Sequence, residues 1–206
     1  EHLHQVPIGG SAAPRAMIER IMNTGANVKH GWGMTETSPI GTAGAPPADW
    51  DDYAHEAKLD RVSKQGQVPF GIELRVVDDA GREQPRDGES SGRLHVRGPW
   101  VLKRYFQADA DAVDADGWFD TGDVSVMHPD GTMQITDRAK DLIKSGGEWI
   151  NPAEIEAVVG ALPAVSLAAV IGREDAKWGE RPVLLVELRA GEDVGDADLL
   201  APLKGR

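Results

Sequence analysis

From Phe70 onward the chain changes its hydrophobic period to two, and this narrows the open folds more than any other feature. GIELRVVD (71–78) alternates apolar and polar residues, DDAGRE (78–83) turns, and GRLHVRG (92–98) alternates again. DGWFDTGDVSVMHPDGTMQIT (116–136) holds at least one hairpin, with its turn at Pro129, Asp130 and Gly131. Strict alternation places one set of side chains on a core face and the other toward water. Residues 70–136 are therefore expected to form an antiparallel β section.

The flanking segments obey other rules. VPIGGS (6–11) reads as a short strand entering a glycine turn. Ser11 is placed to cap the following helix, Pro14 suits its first turn, and Met17, Ile18, Ile21 and Met22 lie on one helical face. Gly25 is a stop signal, and NVKHGWG (27–33) reads as a second strand. Strand, helix, strand predicts a parallel α/β layer. Gly44, Pro46 and Pro47 mark a loop, and ADWDDYAHEAKLDRVSK (48–64) reads as a polar surface helix. After the β section, Asn151, Pro152 and Glu154 supply a cap, a proline at the first helical position and a capping-box acid. Ile155, Val158, Val159 and Leu162 follow at helical spacing, and Pro163 ends the run. VSLAAVIG (165–172) and RPVLLVEL (181–188) read as two buried strands of a separate α+β unit.

Composition sets bounds on function. The 206 residues fit one to two domains, and 40% hydrophobic content supports a real core. No apolar run is long enough to span a membrane, and no secretory leader opens the chain. Cysteine is absent, which suits a reducing cytoplasm. A formal net charge of −12 argues against nucleic acid as a partner. An anionic small ligand would need locally placed cations or backbone amides.

Four short stretches carry candidate chemistry. HGWGMTET (30–37) sets a tryptophan between glycines at a strand end. Glycines let a flat ligand approach the backbone, and an indole offers a stacking face. Thr35 adds a hydroxyl, and Glu36 a hard oxygen of the kind Mg²⁺ accepts alongside phosphate oxygens. The plainer reading is a turn with a half-buried tryptophan. GGSAAP (9–14) leads into a helix start, where an ordinary capped helix is the simpler reading. In GWFDTGD (117–123), Asp123 at a strand start can accept ribose hydroxyls, or serve only as a turn aspartate. DRAKDLIKSGGE (137–148) crowds cations at the junction of the two parts, ending in a double glycine. Charge runs are usually solvated faces.

Taken in order, HGWGMTET, GWFDTGD and DRAKDLIKSGGEWINPAEIE closely resemble the acyl-CoA synthetases of the adenylate-forming superfamily, which also includes luciferases and peptide-synthetase adenylation domains. The resemblance runs from GGSAAP to KWGERP. It implies an α/β plus α+β architecture: 1–137 as the end of the large AMP-binding domain, an α/β layer plus the antiparallel section, and 138–206 as the start of the small C-terminal α+β domain, with a hinge near 137–140.

The resemblance also implies roles. The family joins a carboxylic acid to ATP, releasing pyrophosphate, and passes the acyl group to coenzyme A. Trp32 would pack on adenine, with Gly31, Gly33, Met34, Ser11 and Ala12 lining the nucleotide and acyl pocket. Thr35 would touch phosphate and Glu36 would help hold Mg²⁺. Asp123 and Arg138 would reach the ribose. Lys140 would be the hinge. Ser145, Gly146 and Gly147 would line the pantetheine tunnel, and Lys144 would meet an anionic intermediate or a CoA phosphate. The implied partners are ATP or AMP, Mg²⁺, CoA and a medium- or long-chain fatty acid, in the cytoplasm, with oligomer formation left open. The family's phosphate loop and its C-terminal catalytic lysine are not in this sequence, so the chain is expected to be a piece of a longer ligase and inactive by itself. Two rival readings are an adenylation domain loading a carrier protein and a non-catalytic nucleotide-binding module.

Overall fold

The computed structural model describes residues 3–10, 13–138, 142–146 and 148–204, with 137, 138, 148 and 149 described by backbone alone. The chain divides into two compact units, Glu1–Thr136 and Asp137–Arg206.

The first unit begins with β1 (Gln5–Ile8), α1 (Arg15–Met22) and β2 (Asn27–Trp32). β1 and β2 pair in parallel, with Ile8 opposite His30. The short β3 (Thr42–Ala43) adds antiparallel to the far end of β2, pairing Trp32 with Thr42. α2 (His55–Val62) occupies the centre of the stretch read as a polar helix. Ile18 of α1, Val28 of β2 and Leu59 of α2 close a small core between helices and strands. On the exposed side, Arg15 of α1 makes ion pairs with Glu56 and Asp60 of α2.

Two local expectations differ from the structure here. Pro14 is the N-cap of α1 and not part of its first turn, and no side chain caps that end. Ser11, expected as the cap, lies outside the described residues. Met17 is 38% exposed, so the buried stripe of α1 centres on Ile18 alone.

The second layer of this unit is a four-stranded sheet in the order β4 (Glu73–Val77), β5 (Gly92–Arg97), β6 (Phe119–Met127), β7 (Met133–Arg138). The β4–β5 and β5–β6 pairs are antiparallel. The alternation read in the sequence appears directly: Leu74, Val76, Leu94, Val96, Phe119, Met127 and Met133 form the main core. At the β6–β7 turn, the Gly131 amide donates to the His128 carbonyl, and Gly131 has a φ of 80°.

The second unit holds α3 (Pro152–Gly160), α4 (Asp196–Leu200) and a sheet in the order β10 (Val165–Asp175), β11 (Gly179–Leu188), β8 (Ile143–Ser145), β9 (Glu148–Ile150). The helix start at Asn151 is as the sequence predicts: its side-chain oxygen accepts from the Glu154 amide at 3.2 Å. Val159, Val165 and Leu199 form the core. β10 and β11, read as buried strands, are buried on one face only. Leu167, Ile171 and Leu185 are 61%, 51% and 51% exposed on the other face. A continuous apolar run cannot by itself distinguish a strand covered on both faces from one covered on a single face.

Candidate active site

HGWGMTET leaves the edge of β2 and folds back on itself as a single 3₁₀ turn at Thr35–Thr37. Thr37, wholly buried, holds the fold-back together. Its hydroxyl accepts from the Met34 amide at 2.9 Å and lies 2.7 Å from the Pro39 carbonyl, to which it donates. The Trp32 carbonyl accepts from the Gly41 amide at 3.0 Å, and the Trp32 amide donates to the Thr42 hydroxyl at 3.1 Å. The loop therefore presents Thr35 as exposed and Glu36 as half-buried from a fixed backbone.

The glycines of this stretch serve the chain's own packing, which the sequence reading did not see. A Cβ on Gly33 would lie 1.7 Å from the Pro39 carbonyl oxygen. One on Gly31 would lie 2.9 Å from the Thr42 carbonyl oxygen. One on Gly41 would lie 2.1 Å from the Trp32 ring. These contacts account for the missing side chains without any ligand. The half-buried Trp32 rests against Gly41 and the main core.

Asp123 joins this loop through space. The Trp32 indole N–H donates to Asp123 Oδ2 at 2.8 Å, linking two motifs 91 residues apart. Asp123 does not open a strand, as the sequence suggested, but sits in the middle of β6. A bulge sets it there: Arg93 pairs with Val124 and His95 with Asp120, so Thr121, Gly122 and Asp123 all lie opposite Leu94. Gly122 takes a φ of 74°, a conformation side chains rarely adopt. The Thr121 hydroxyl donates to the Leu94 carbonyl at 2.8 Å and accepts from the Asp123 amide at 3.1 Å. Bulges of this kind re-aim a side chain out of the regular ladder.

The segment between β5 and β6 closes on Glu36. The Tyr105 hydroxyl donates to Glu36 Oε1 at 2.9 Å, and the Leu102 amide donates to the Glu36 carbonyl at 2.7 Å. The hydrogen bond to Glu36 raises the Tyr105 pKa, because ionisation would set two anions side by side. Trp118 of GWFDTGD has a structural role, its ring meeting the guanidinium groups of Arg75 and Arg97 at 4.4 and 4.5 Å.

In the second unit, Lys144 is exposed on β8, and its amide donates to Glu180 Oε2 at 2.9 Å. Ser145 pairs with Gly179, and the Gly146 amide donates to the Trp178 carbonyl at 2.8 Å. The space beside Gly146, expected to receive a thiol arm, is taken by the Trp178 ring: a Cβ there would lie 2.6 Å from it. Lys177 stands 4.6 Å from that ring. Lys144, Trp178 and Glu180 border an open cleft of about 800 Å³.

Trp32, Glu36 and Asp123 are thus brought together with Thr35, Met34 and the two glycines, while Ser145, Gly146 and Lys144 form a second group. Ser11, Ala12, Lys140 and Gly147 lie outside the described residues, as does the side chain of Arg138, the last residue of β7. Thr37, Tyr105 and Trp178 escaped the sequence reading. Their signals were a second threonine in TET, an aromatic pair in a loop, and a tryptophan before glycine in KWGE. A different cleft of about 470 Å³, bordered by Lys29, Trp50, His55 and Arg61, contains none of the motif residues. Among the described residues no group of three or more His, Asp or Glu could hold a metal.

The site thus holds an indole bonded to a buried carboxylate, an exposed hydroxyl at Thr35 and a half-buried carboxylate at Glu36. Residues 1–106 match the AMP-binding enzyme family and residues 154–205 its C-terminal domain, and the chain belongs to that family. It is 46% identical over its whole length to a 3-methylmercaptopropionyl-CoA ligase of Ruegeria lacuscaerulensis, covering 38% of that protein. It is 47% identical over 93% of its length to a medium-chain-fatty-acid–CoA ligase of Ectopseudomonas oleovorans, covering 36% of it. Among solved structures, it is similar to the o-succinylbenzoate coenzyme A synthetase of Bacillus subtilis in complex with ATP and magnesium ion. That likeness has a TM-score of 0.79 at 31% identity, over 98% of this chain and 39% of the other. The chain thus spans a little over a third of the length of the ligases it matches.

Proposed function

We propose that this chain is part of an ATP-dependent acid–CoA ligase, spanning the end of its large domain (1–137) and the start of its small domain (138–206). The observation that supports this reading is the hydrogen bond from the Trp32 indole to Asp123, which brings together the two residues read as meeting adenine and ribose. In this reading Trp32 offers a ring face to adenine, Asp123 accepts from the ribose, and Arg138 is a second ribose-binding residue. Thr35 donates to a phosphate oxygen. Lys144, Ser145, Gly146 and Gly147 serve the CoA arm, and Lys140 is the hinge.

The chemistry is a double displacement. A carboxylate oxygen of the acid attacks the α-phosphorus of ATP, and pyrophosphate leaves. The CoA thiolate then attacks the acyl carbon, and AMP leaves with the bonding pair. Glu36 suits Mg²⁺: it is one half-buried carboxylate with no other acidic cluster around it among the described residues, which fits an ion held mainly by phosphate oxygens and water. Bound there, Mg²⁺ supplies positive charge against the phosphates. The acid is an aliphatic one of medium or longer chain, a reading supported by the medium-chain ligase and tempered by the equally similar 3-methylmercaptopropionyl ligase.

The test measures AMP binding and pyrophosphate exchange in the whole ligase. Asp123→Ala is expected to weaken AMP binding by about 1–3 kcal/mol, since a charge-assisted bond is lost. Trp32→Phe keeps a ring but loses the indole donor, and should weaken binding less than Trp32→Ala. Unchanged AMP affinity in all three variants would remove the site. Thioester formation across acids of increasing chain length, with 3-methylmercaptopropionate among them, decides the substrate. Acyl transfer to a carrier protein with none to CoA would favour the carrier-loading alternative.

A further inference from the structure

Residues 98–115, between β5 and the GWFDTGD stretch, carry no motif that the sequence reading used, yet they grip Glu36 at both its backbone and its side chain. The Leu102 amide holds the Glu36 carbonyl, and the Tyr105 hydroxyl holds Oε1 of its carboxylate. The grip is itself braced. Arg104 donates to Asp111 Oδ1 through Nε at 2.8 Å and Nη2 at 2.7 Å. The Ala112 amide donates to the Lys103 carbonyl at 2.8 Å, and the Ala108 amide to the Tyr105 carbonyl at 3.1 Å. Gln107 completes the turn with a φ of 59°. Lys103, Arg104 and Tyr105 are therefore each tied to the chain between 108 and 112.

We propose that Tyr105 is a positioning residue for Glu36, fixing one carboxylate oxygen so that the other faces a divalent cation. The inference rests on the metal role given to Glu36 above and adds a residue to it. A glutamate has three rotatable side-chain bonds, and a half-buried one samples many orientations unless something holds it. A single hydrogen bond at Oε1 restricts the carboxylate plane and leaves Oε2 without a hydrogen bond among the described residues. Groups that orient a metal-binding side chain are commonly worth 10- to 100-fold in metal affinity. Tyr105 is 49% exposed, so its bond contributes little to stability, and a purely structural role predicts little effect of its loss anywhere.

The experiment uses the whole ligase with Tyr105→Phe, Glu36→Gln and the double variant. Mn²⁺ binding is followed by electron paramagnetic resonance with an unreactive ATP analogue present, and melting temperature is recorded alongside. Tyr105→Phe is expected to weaken Mn²⁺ binding by about 10- to 100-fold with no change in melting temperature, and to add nothing in the Glu36→Gln background. Unchanged Mn²⁺ affinity in Tyr105→Phe, where Glu36→Gln weakens it, would overturn the inference and leave the role of Glu36 intact. An equal loss from Tyr105→Phe in both backgrounds, as misfolding would give, also overturns it. If Glu36→Gln itself leaves Mn²⁺ binding unchanged, the metal role of Glu36 falls, and this inference falls with it.

Discussion

Single residues in this site are constrained mainly by what lies behind them. Trp32, Glu36 and Asp123 stood out as candidates in the sequence because a ring face and carboxylates are written in their side chains. The reasons for Gly31, Gly33 and Gly41 were not legible, because the atoms that exclude a Cβ come from a fold-back that no local pattern encodes. The same holds for Thr37, whose buried hydroxyl bonds to backbone on both sides of a turn. A direct consequence concerns Gly41. Gly41→Ala places a methyl within the Trp32 ring and must push the indole away from its place. The Trp32–Asp123 bond would lengthen or break, so AMP affinity should fall by roughly 1–3 kcal/mol, the range for losing a bond to a charged acceptor. Calorimetry of Gly41→Ala beside Asp123→Ala checks this: the two losses should not add, because both disable the same contact.

At the level of elements, the strands β4 and β5, the turn at Asp130 and Gly131, and the capped start of α3 followed from alternation and capping rules. The bulge in β6 did not, because it depends on cross-strand register, which sequence spacing leaves open. The one-sided burial of β10 and β11 was hidden for a related reason, since their apolar runs fit either covering. Gly146, between β8 and β9, is doubly constrained: its φ is 61°, and the Trp178 ring fills the place of a Cβ. Gly146→Ala should therefore destabilise the second unit by more than the roughly 1–2 kcal/mol of a left-handed alanine alone. Adding Trp178→Ala should recover the steric part and leave the backbone part. Urea unfolding followed by circular dichroism distinguishes the two contributions, and full recovery in the double variant would refute the backbone share.

For the molecule as a whole, the two-part organisation was visible in the fresh helix start at Asn151–Glu154, after the alternating β section had ended. The two units each close their own core. What no sequence pattern revealed is the charged outer face of the β4–β6 sheet. There His95 meets Arg75 at 3.3 Å and faces Asp120 at 4.0 Å, with Arg93 and Asp114 also acting on it. Burial is the largest influence on His95 and lowers its pKa from 6.5; Asp120 opposes this, while Arg75 and Arg93 reinforce it. The unfolded chain then takes up the proton more readily than the folded one. Neutral His95 contributes stability that is fully present above pH 6.5 and is lost as pH falls from 6.5 toward the lower folded value. The melting-temperature gap between the protein and His95→Gln should therefore narrow below that pH. A gap constant across the range would contradict the lowered pKa.

The irregularity in β6 has one further consequence, for how such a strand can be edited. Between Asp120 and Val124 the strand spends three residues against the single Leu94, an excess of two. An even excess preserves parity, so Phe119 before it and Met127 after it both reach the same core. Losing Thr121 and Gly122 together would let the ladder close while every remaining side chain kept its face. Losing one alone would turn the rest of the strand inside out. Length changes at this place are tolerable only in pairs, so the carboxylate of Asp123 sits on an insert that a chain can gain or lose without rebuilding the sheet.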